Sequence, residues 1–355
     1  RLNGNRETTN YGGDNFDADP ELSLTASISW ELDLWGNLRW ARDHSTAGFL
    51  ASVENCRAVK MGLVAQVAQS YFELMALDNE LAIVRRTLEA RREGVRLAEI
   101  RFKGGLTSEI VFQQAKVELA KTATMVPDLE RRISLKESEI ALLTGDFPYA
   151  VNRNVLPEEI QLPDALPLGL PSTLLERRPD IRKAERELMA AHAEVGLAYT
   201  NMFPRLALTA TLGAESETLR DLLKSPYSYL AGNLLSPLFA MGKNRAALKA
   251  KRAAYEGAVA EYEKTVLTAF KETHNAIINF NKIKDIYESR RQLAEASRTA
   301  VELAQLQYIN GVIGYLDLLD AQRNYFDAQV SLSNAVCDKQ LMIINLYKAL
   351  GGGWK

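Results

Sequence analysis

From Leu22 to Leu34 the chain alternates without a break. Leu22, Leu24, Ala26, Ile28, Trp30, Leu32 and Leu34 are apolar, and Ser23, Thr25, Ser27, Ser29, Glu31 and Asp33 between them are polar. Successive side chains of a strand point to opposite faces, so this alternation predicts a strand over 22–35 with one apolar and one polar side. Either a soluble sandwich or a transmembrane barrel could use it. A second strand-like stretch, 203–213, sets Leu206, Leu208, Ala210 and Leu212 against Arg205, Thr209 and Thr211. After a polar loop, 227–240 reads as a less regular strand pairing back. Arg1 to Pro20, rich in Asn, Gly, Asp and Thr, reads as an exposed loop.

After Gly36 the period becomes helical. Good helix formers dominate 37–103, which as one helix would be roughly 100 Å long. Leu81, Leu88, Val95 and Phe102 recur in heptads, with Val84 and Ala98 at the intervening positions, and this predicts a coiled-coil seam. Arg91 interrupts it. Gly104 and Gly105 break the helix, and a return helix over 107–143, kinked at Pro127, ends before Gly145. Residues 146–179 carry Pro148, Pro157, Pro163, Pro167, Pro171 and Pro179 and read as a linker. Pro179 and Asp180 suit the start of a helix over 180–201. A second long helix over 244–310 and a return helix over 313–350 complete the chain.

The two halves match. An offset of 206 positions sets Gly105 on Gly311, Ala115 on Ala321, Arg39 on Arg245 and Gly145 on Gly351 without a gap, which marks an internal duplication. The chain therefore divides into a first repeat (1–145), the linker and equatorial region (146–179) and a second repeat (180–355). By the same offset, Arg1 falls on Ala207, inside a strand. A helix and most of a strand are thus expected to precede it in the complete protein.

Composition narrows the function classes. With 355 residues, 47% apolar and 25% charged, the chain can bury a core, and its formal charge of -2 leaves no basic footprint for nucleic acid. Cys56 and Cys337 form no metal or disulfide pattern. No apolar run is long enough for a spanning helix, which leaves transmembrane strands open. His44, His192 and His274 are scattered, and no nucleophile motif or phosphate loop accompanies them, so neither an enzyme nor a cofactor or metal site is expected.

Four stretches carry a family resemblance: S-W-E-L-D-L-W-G-N-L-R (29–39), L-P-L-G-L-P-S-T-L-L-E-R-R-P-D-I-R-K-A-E (166–185), N-M-F-P-R-L-A-L-T-A (201–210) and L-Y-K-A-L-G-G-G-W (346–354). With them the whole chain resembles the TolC-like outer-membrane factors, in the branch of NodT-like efflux lipoproteins. The resemblance implies a mixed α/β membrane protein and a homotrimer. Four strands per subunit would build a twelve-stranded outer-membrane β-barrel, continued by a long periplasmic α-helical coiled-coil barrel. It implies the exit duct of a tripartite efflux pump for drugs, small toxic compounds or metal ions in a Gram-negative bacterium. The partners would be a periplasmic membrane-fusion adaptor, an inner-membrane RND-type pump and outer-membrane lipid. An N-terminal lipid anchor is expected outside the given sequence.

Site residues follow from the same resemblance. Asp317 and Asp320 match acids that face the axis at the periplasmic mouth, and Tyr308 matches a tyrosine that helps hold it shut. Val111 and Gln114 stand at the equivalent places of the first repeat, so the carboxylates come from the second repeat alone. The turns Gly105, Leu106, Thr107, Ser108 and Gly311, Val312, Ile313, Gly314 are candidate adaptor-docking sites. Trp30, Trp35, Trp40, Tyr227 and Tyr229 are candidate membrane-interface aromatics. Two alternatives stand beside the efflux duct: the duct of a type I protein secretion system, and a soluble coiled-coil scaffold. The alternating strand at 22–34 has no use in the scaffold.

Overall fold

The computed structural model of the chain describes residues 2–9, 17–153, 176–216, 224, 226–236 and 240–352. Its elements run β1 (Leu2–Thr9), β2 (Asp17–Leu32), α1 (Asn37–Lys103), α2 (Glu109–Thr144), α3 (Pro179–Thr200), β3 (Arg205–Ser216), β4 (Pro226–Leu235), α4 (Met241–Ile309) and α5 (Tyr315–Ala349). The order repeats itself, with β1, β2, α1 and α2 answered by β3, β4, α4 and α5. Gly105, Gly311, Gly145 and Gly351, paired by the duplication, all hold φ between 70° and 81°. Most of the Pro-rich linker, 154–175, and the chain end, 353–355, lie outside the described residues.

One compact unit comprises 1–52 with 183–263. It holds an antiparallel sheet in the order β1-β2-β3-β4. Ile28 pairs with Ala210 and Trp30 with Leu208, while Ser29 lies opposite Thr209 and Ser27 opposite Thr211. Directly opposed residues share a face, so the alternation of β2 continues across β3. The apolar face is bare in the single chain, with Ile28 77% and Trp30 63% exposed. On the other face Ser29 Oγ and Thr209 Oγ1 are hydrogen-bonded at 3.2 Å.

Three expectations are corrected here. Residues 2–9 and 17–20 are strand rather than loop, because backbone pairing with β2 forms β1 and needs no side-chain pattern. The strand expected over 22–35 stops at Leu32, because Asp33 turns to the start of α1. Its carboxylate accepts the N–H of Leu38 at 2.9 Å and of Arg39 at 3.2 Å, and capping ends the ladder. The return strand ends at Leu235 rather than at residue 240. Of that expected stretch, 237–239 lie outside the described residues.

Helix α3 packs on the start of α1 in the same unit. The Trp40 indole lies directly over Gly196, and its ring meets His192 edge-on at 5.6 Å. Lys251 of α4 reaches Glu194 of α3 at 2.7 Å.

The second unit, 53–182 with 264–355, is built from two antiparallel helical hairpins. Leu74, Leu77, Leu81 and Val84 of α1 pack with Leu129, Ile133 and Ile140 of α2, and Phe326 of α5 covers them. Ala276 and Phe280 of α4 pack with Leu346 and Ala349 of α5. The R-R-P-D segment is tied into this unit by Arg178, whose side chain is 6% exposed. Its guanidinium bonds Asp180 Oδ2 at 2.6 Å, Glu272 Oε2 at 2.6 Å and the carbonyl of Ala349 at 3.2 Å. One side chain thereby joins the start of α3, the middle of α4 and the end of α5.

Candidate functional site

Each hairpin of the second unit ends in the same turn. Gly105 and Gly311 sit at φ 70° and 74°. The N–H of Leu106 bonds back to the carbonyl of Arg101 at 2.8 Å, and that of Val312 to Gln307 at 2.9 Å. This is the six-to-one closure that ends a helix on a left-handed residue. The following residues are left in solvent, Leu106 at 72% and Val312 at 71% exposure. Ser108 and Gly314 then start the return helices in extended conformation. Thr107 and Ile313 are half-buried, and the other turn residues are exposed.

The two acids past the second turn are exposed but differently engaged. Asp317 Oδ2 accepts the N–H of Gly314 at 3.0 Å, so Asp317 caps the helix it belongs to. Asp320 faces the guanidinium of Arg323 at 3.5 Å, and its side chain is 71% exposed.

Arg323 leads to a group that sequence reasoning missed. It reaches back to Glu118 of α2 at 2.5 Å, and Arg91 of α1 bonds the other oxygen of the same carboxylate at 2.6 Å. Glu118 is buried, with its side chain 5% exposed, while the side chains of Arg91 and Arg323 are 10% and 43% exposed. Arg91 also donates to the Glu118 carbonyl at 2.8 Å, and Lys121 stands 3.8 Å from the carboxylate. The hydrogen bond from Arg323, with the charges of Arg91, Arg323 and Lys121, holds the Glu118 carboxyl below its ordinary range, against the opposing effect of burial. The one signal in the sequence was Arg91, which breaks the heptad seam because it has this carboxylate to meet.

Tyr308 is 5% exposed. Arg101 lies over its ring at 4.7 Å, and Tyr315 meets it edge-on at 5.8 Å. Its hydroxyl is buried with no hydrogen-bond partner among the described residues. Burial and the neighbouring Tyr308 push the Tyr315 phenol above its usual range. A groove of about 500 Å³ lies between the starts of α2 and α5, lined by Ile110, Gln114, Val117, Leu316, Leu319 and Arg323 among others.

The aromatic candidates separate into distinct environments. Trp30 lies on the apolar sheet face, and Trp35, just past β2, stacks on Phe203 at 4.7 Å and donates to the Pro204 carbonyl at 2.9 Å. Trp40 is a packing residue between α1 and α3, because Gly196 opens a space for it. Tyr227 and Tyr229 fall on the polar face. Their register sets them opposite Gly213 and Thr211, and the Tyr227 hydroxyl lies 3.4 Å from Thr25 Oγ1. The parity of β4 is the physical reason, since a face is fixed by pairing rather than by residue type. Among the described residues no cluster of His, Cys, Asp and Glu is arranged to hold a metal ion.

Comparison with known proteins gives concordant matches. The family model described as outer membrane efflux protein matches residues 1–146 and 170–352. Outer membrane protein OprJ of Pseudomonas aeruginosa is 35% identical over 335 residues, covering 92% of this chain and 68% of that protein. The solvent efflux pump outer membrane protein SrpC of Pseudomonas putida is 33% identical over 340 residues, covering 95% and 72%. The solved outer-membrane channel OprN superposes with a TM-score of 0.88 at 29% identity, over all of this chain and 80% of that one.

Proposed function

The chain belongs to the outer membrane efflux protein family, and on that footing we propose that it is the outer-membrane exit duct of a tripartite RND-type efflux pump. It works as a homotrimer, and a periplasmic adaptor joins it to an inner-membrane pump. It is a passive channel for small toxic compounds, drugs or metal ions.

The two-faced sheet carries this reading. One side is apolar and bare, the other is lined by Ser and Thr, and among the described residues β1 and β4 each have a strand neighbour on one side only. Unpaired strand edges are not tolerated in lipid, so the sheet closes only by joining other copies. Three copies give the twelve-stranded barrel, with Ile28 and Trp30 toward lipid and Ser27, Ser29, Thr209 and Thr211 toward water. Trp30 and Trp35 serve at the membrane interface. The arms need neighbours for the same reason: Leu142 and Leu267 are 78% and 69% exposed in the single chain.

The turns at Gly105 to Ser108 and Gly311 to Gly314 receive the adaptor. Asp317 and Asp320 of three subunits form the constriction, and Tyr308 packs behind it. Light scattering of the complete protein in detergent tests the assembly and planar-bilayer recording tests the duct. A conducting trimer is expected, and a monomer that forms no pore refutes the reading.

A further inference from the structure

The first turns of α1 and α4 occupy corresponding places in the two repeats, yet they differ in charge. In α1, Arg39 bonds Asp33 at 3.3 Å and Arg42 bonds Asp43 at 3.0 Å. The duplication keeps Arg39 as Arg245, but it sets Phe239 in place of Asp33, Lys249 in place of Asp43, Lys243 in place of Asn37 and Arg252 in place of Thr46. No acid occurs between Asp221 and Glu256. Lys251 turns to Glu194 of α3 at 2.7 Å, whereas Lys243, Arg245, Lys249 and Arg252 are exposed and meet no carboxylate among the described residues. Arg245, Lys249 and Arg252, spaced four and three apart, share one side of α4. Cations near a helix start oppose the helix dipole, so Lys243 and Arg245 weaken the helix that carries them.

We propose that Lys243, Arg245, Lys249 and Arg252 form a docking surface for anionic phospholipid headgroups, in the leaflet at the helical end of the sheet. The charges follow closely on the bare apolar face, where Leu230 and Leu234 of β4 are 77% and 69% exposed. An apolar belt bordered by cations matches a bilayer, which sets phosphates at the edge of its hydrocarbon. The lengths agree as well. Met241 to Arg252 spans about 16 Å of helix, and the headgroup layer is about 5–7 Å thick on each side of a bilayer. With α4 starting at the edge of the hydrocarbon, Lys243 and Arg245 stand in that layer. Lys249 reaches it by laying its stem along the helix, and Arg252 contributes through the field, which extends about 8 Å further. The first repeat, neutralised by Asp33 and Asp43, takes little part. The proposal rests on the duct reading above.

The test uses the complete protein in phosphatidylcholine vesicles with a trace of spin-labelled phosphatidylglycerol or spin-labelled phosphatidylcholine. Electron spin resonance measures how much of each the protein immobilises. A preference of about two-fold or more for phosphatidylglycerol is expected at low salt, shrinking toward none in molar salt. The variant with Lys243→Gln, Arg245→Gln, Lys249→Gln and Arg252→Gln together is expected to lose the preference while immobilising as much phosphatidylcholine as the parent. Singly, Arg245→Gln is expected to cost more than Arg252→Gln, as their depths require. Lys249→Asp, which copies the first repeat, is expected to cost more than Lys249→Gln, and Arg42→Gln in the first repeat is expected to change little. In detergent free of anionic lipid the fourfold variant is expected to melt no lower than the parent, since the charges hold nothing in the fold. A preference that survives the four substitutions, or a parent without one, overturns the docking surface and leaves the duct standing. Inorganic phosphate that abolishes the preference, where chloride of equal ionic strength does not, marks a discrete anion site and also overturns it. If the fourfold variant does not insert, Arg245→Gln and Lys249→Asp decide. A parent protein that immobilises neither lipid overturns the duct reading and the docking surface together.

Discussion

The Trp40 indole occupies the space that a β-carbon on Gly196 would need. Alanine is better than glycine inside a helix by about 1 kcal/mol, but overpacking a filled site costs about 1–3 kcal/mol. Gly196→Ala is therefore expected to lower the thermal midpoint. Gly94→Ala is expected to raise it slightly, since nothing lies within 4 Å of that position. A Gly196 variant that melts above the parent would contradict this packing.

Arg178 joins three helices from a buried position, and Asp180 and Glu272 are its partners. Arg178→Ala is expected to cost about 3 kcal/mol, the low end for breaking a buried pair, because Glu272 is half-exposed. Arg178→Lys is expected to recover only part, since a single ammonium cannot reproduce a forked contact to two carboxylates and a carbonyl. Denaturant unfolding of the three proteins measures both differences.

Asp317 and Asp320, proposed to form the constriction, are better replaced by amides than by alanine. Asp317 caps α5, so Asp317→Ala removes a charge and also a cap, itself about 1 kcal/mol. Asp317→Asn with Asp320→Asn removes the charges and leaves the acceptor. This double variant is expected to lose cation preference and sensitivity to divalent cations in single-channel recording. Unchanged ion preference would place the carboxylates away from the constriction.

Glu118 gives acid sensitivity of known sign. Its carboxyl is held below the ordinary range in the fold, chiefly by Arg323, so its contribution is fully present at neutral pH. It is lost as pH falls through the folded-state pKa. Glu118→Gln is expected to be less stable than the parent at pH 7, with the gap narrowing below about pH 4. Melting curves over that range show it, and a gap that widens in acid would reverse the assignment.

Tyr308 contributes by packing. Its hydroxyl is buried without a partner among the described residues, and such a group costs about 1–3 kcal/mol. Tyr308→Phe is expected to be at least as stable as the parent, with the same resting conductance. Tyr308→Ala is expected to raise that conductance, because the ring between Arg101 and Tyr315 is gone.

Legibility in the sequence followed the range of the interactions. The alternation at β2 was readable because each face sees one environment along the whole strand. The turns were readable because Gly105 and Gly311 are demanded by backbone angle alone. β1 was hidden from composition, although the duplication sets 2–9 on 208–215, inside β3. Tyr227 and Tyr229 could not be placed, since β4 lacks clean alternation and its parity comes from β3. Glu118 and Arg323 read as ordinary solvated helix charges, because the contact that engages them spans 205 positions of the chain. The cap at Asp317 is a local pattern, an acid three residues past the N-cap Gly314.

The ion pair between Glu118 and Arg323 also bears on symmetry. Arg91 and Glu118 lie in one repeat and Arg323 in the other, and the duplication sets Ser297, Asn324 and Val117 in their places. No exchange of the halves reproduces the contact. If the repeats were identical, a ring of three chains would approach sixfold equivalence, and any movement would involve all six hairpins alike. Placing the ion pair across unlike halves breaks that equivalence. In the proposed trimer, alternate hairpins would then differ in how they are tied to their neighbours.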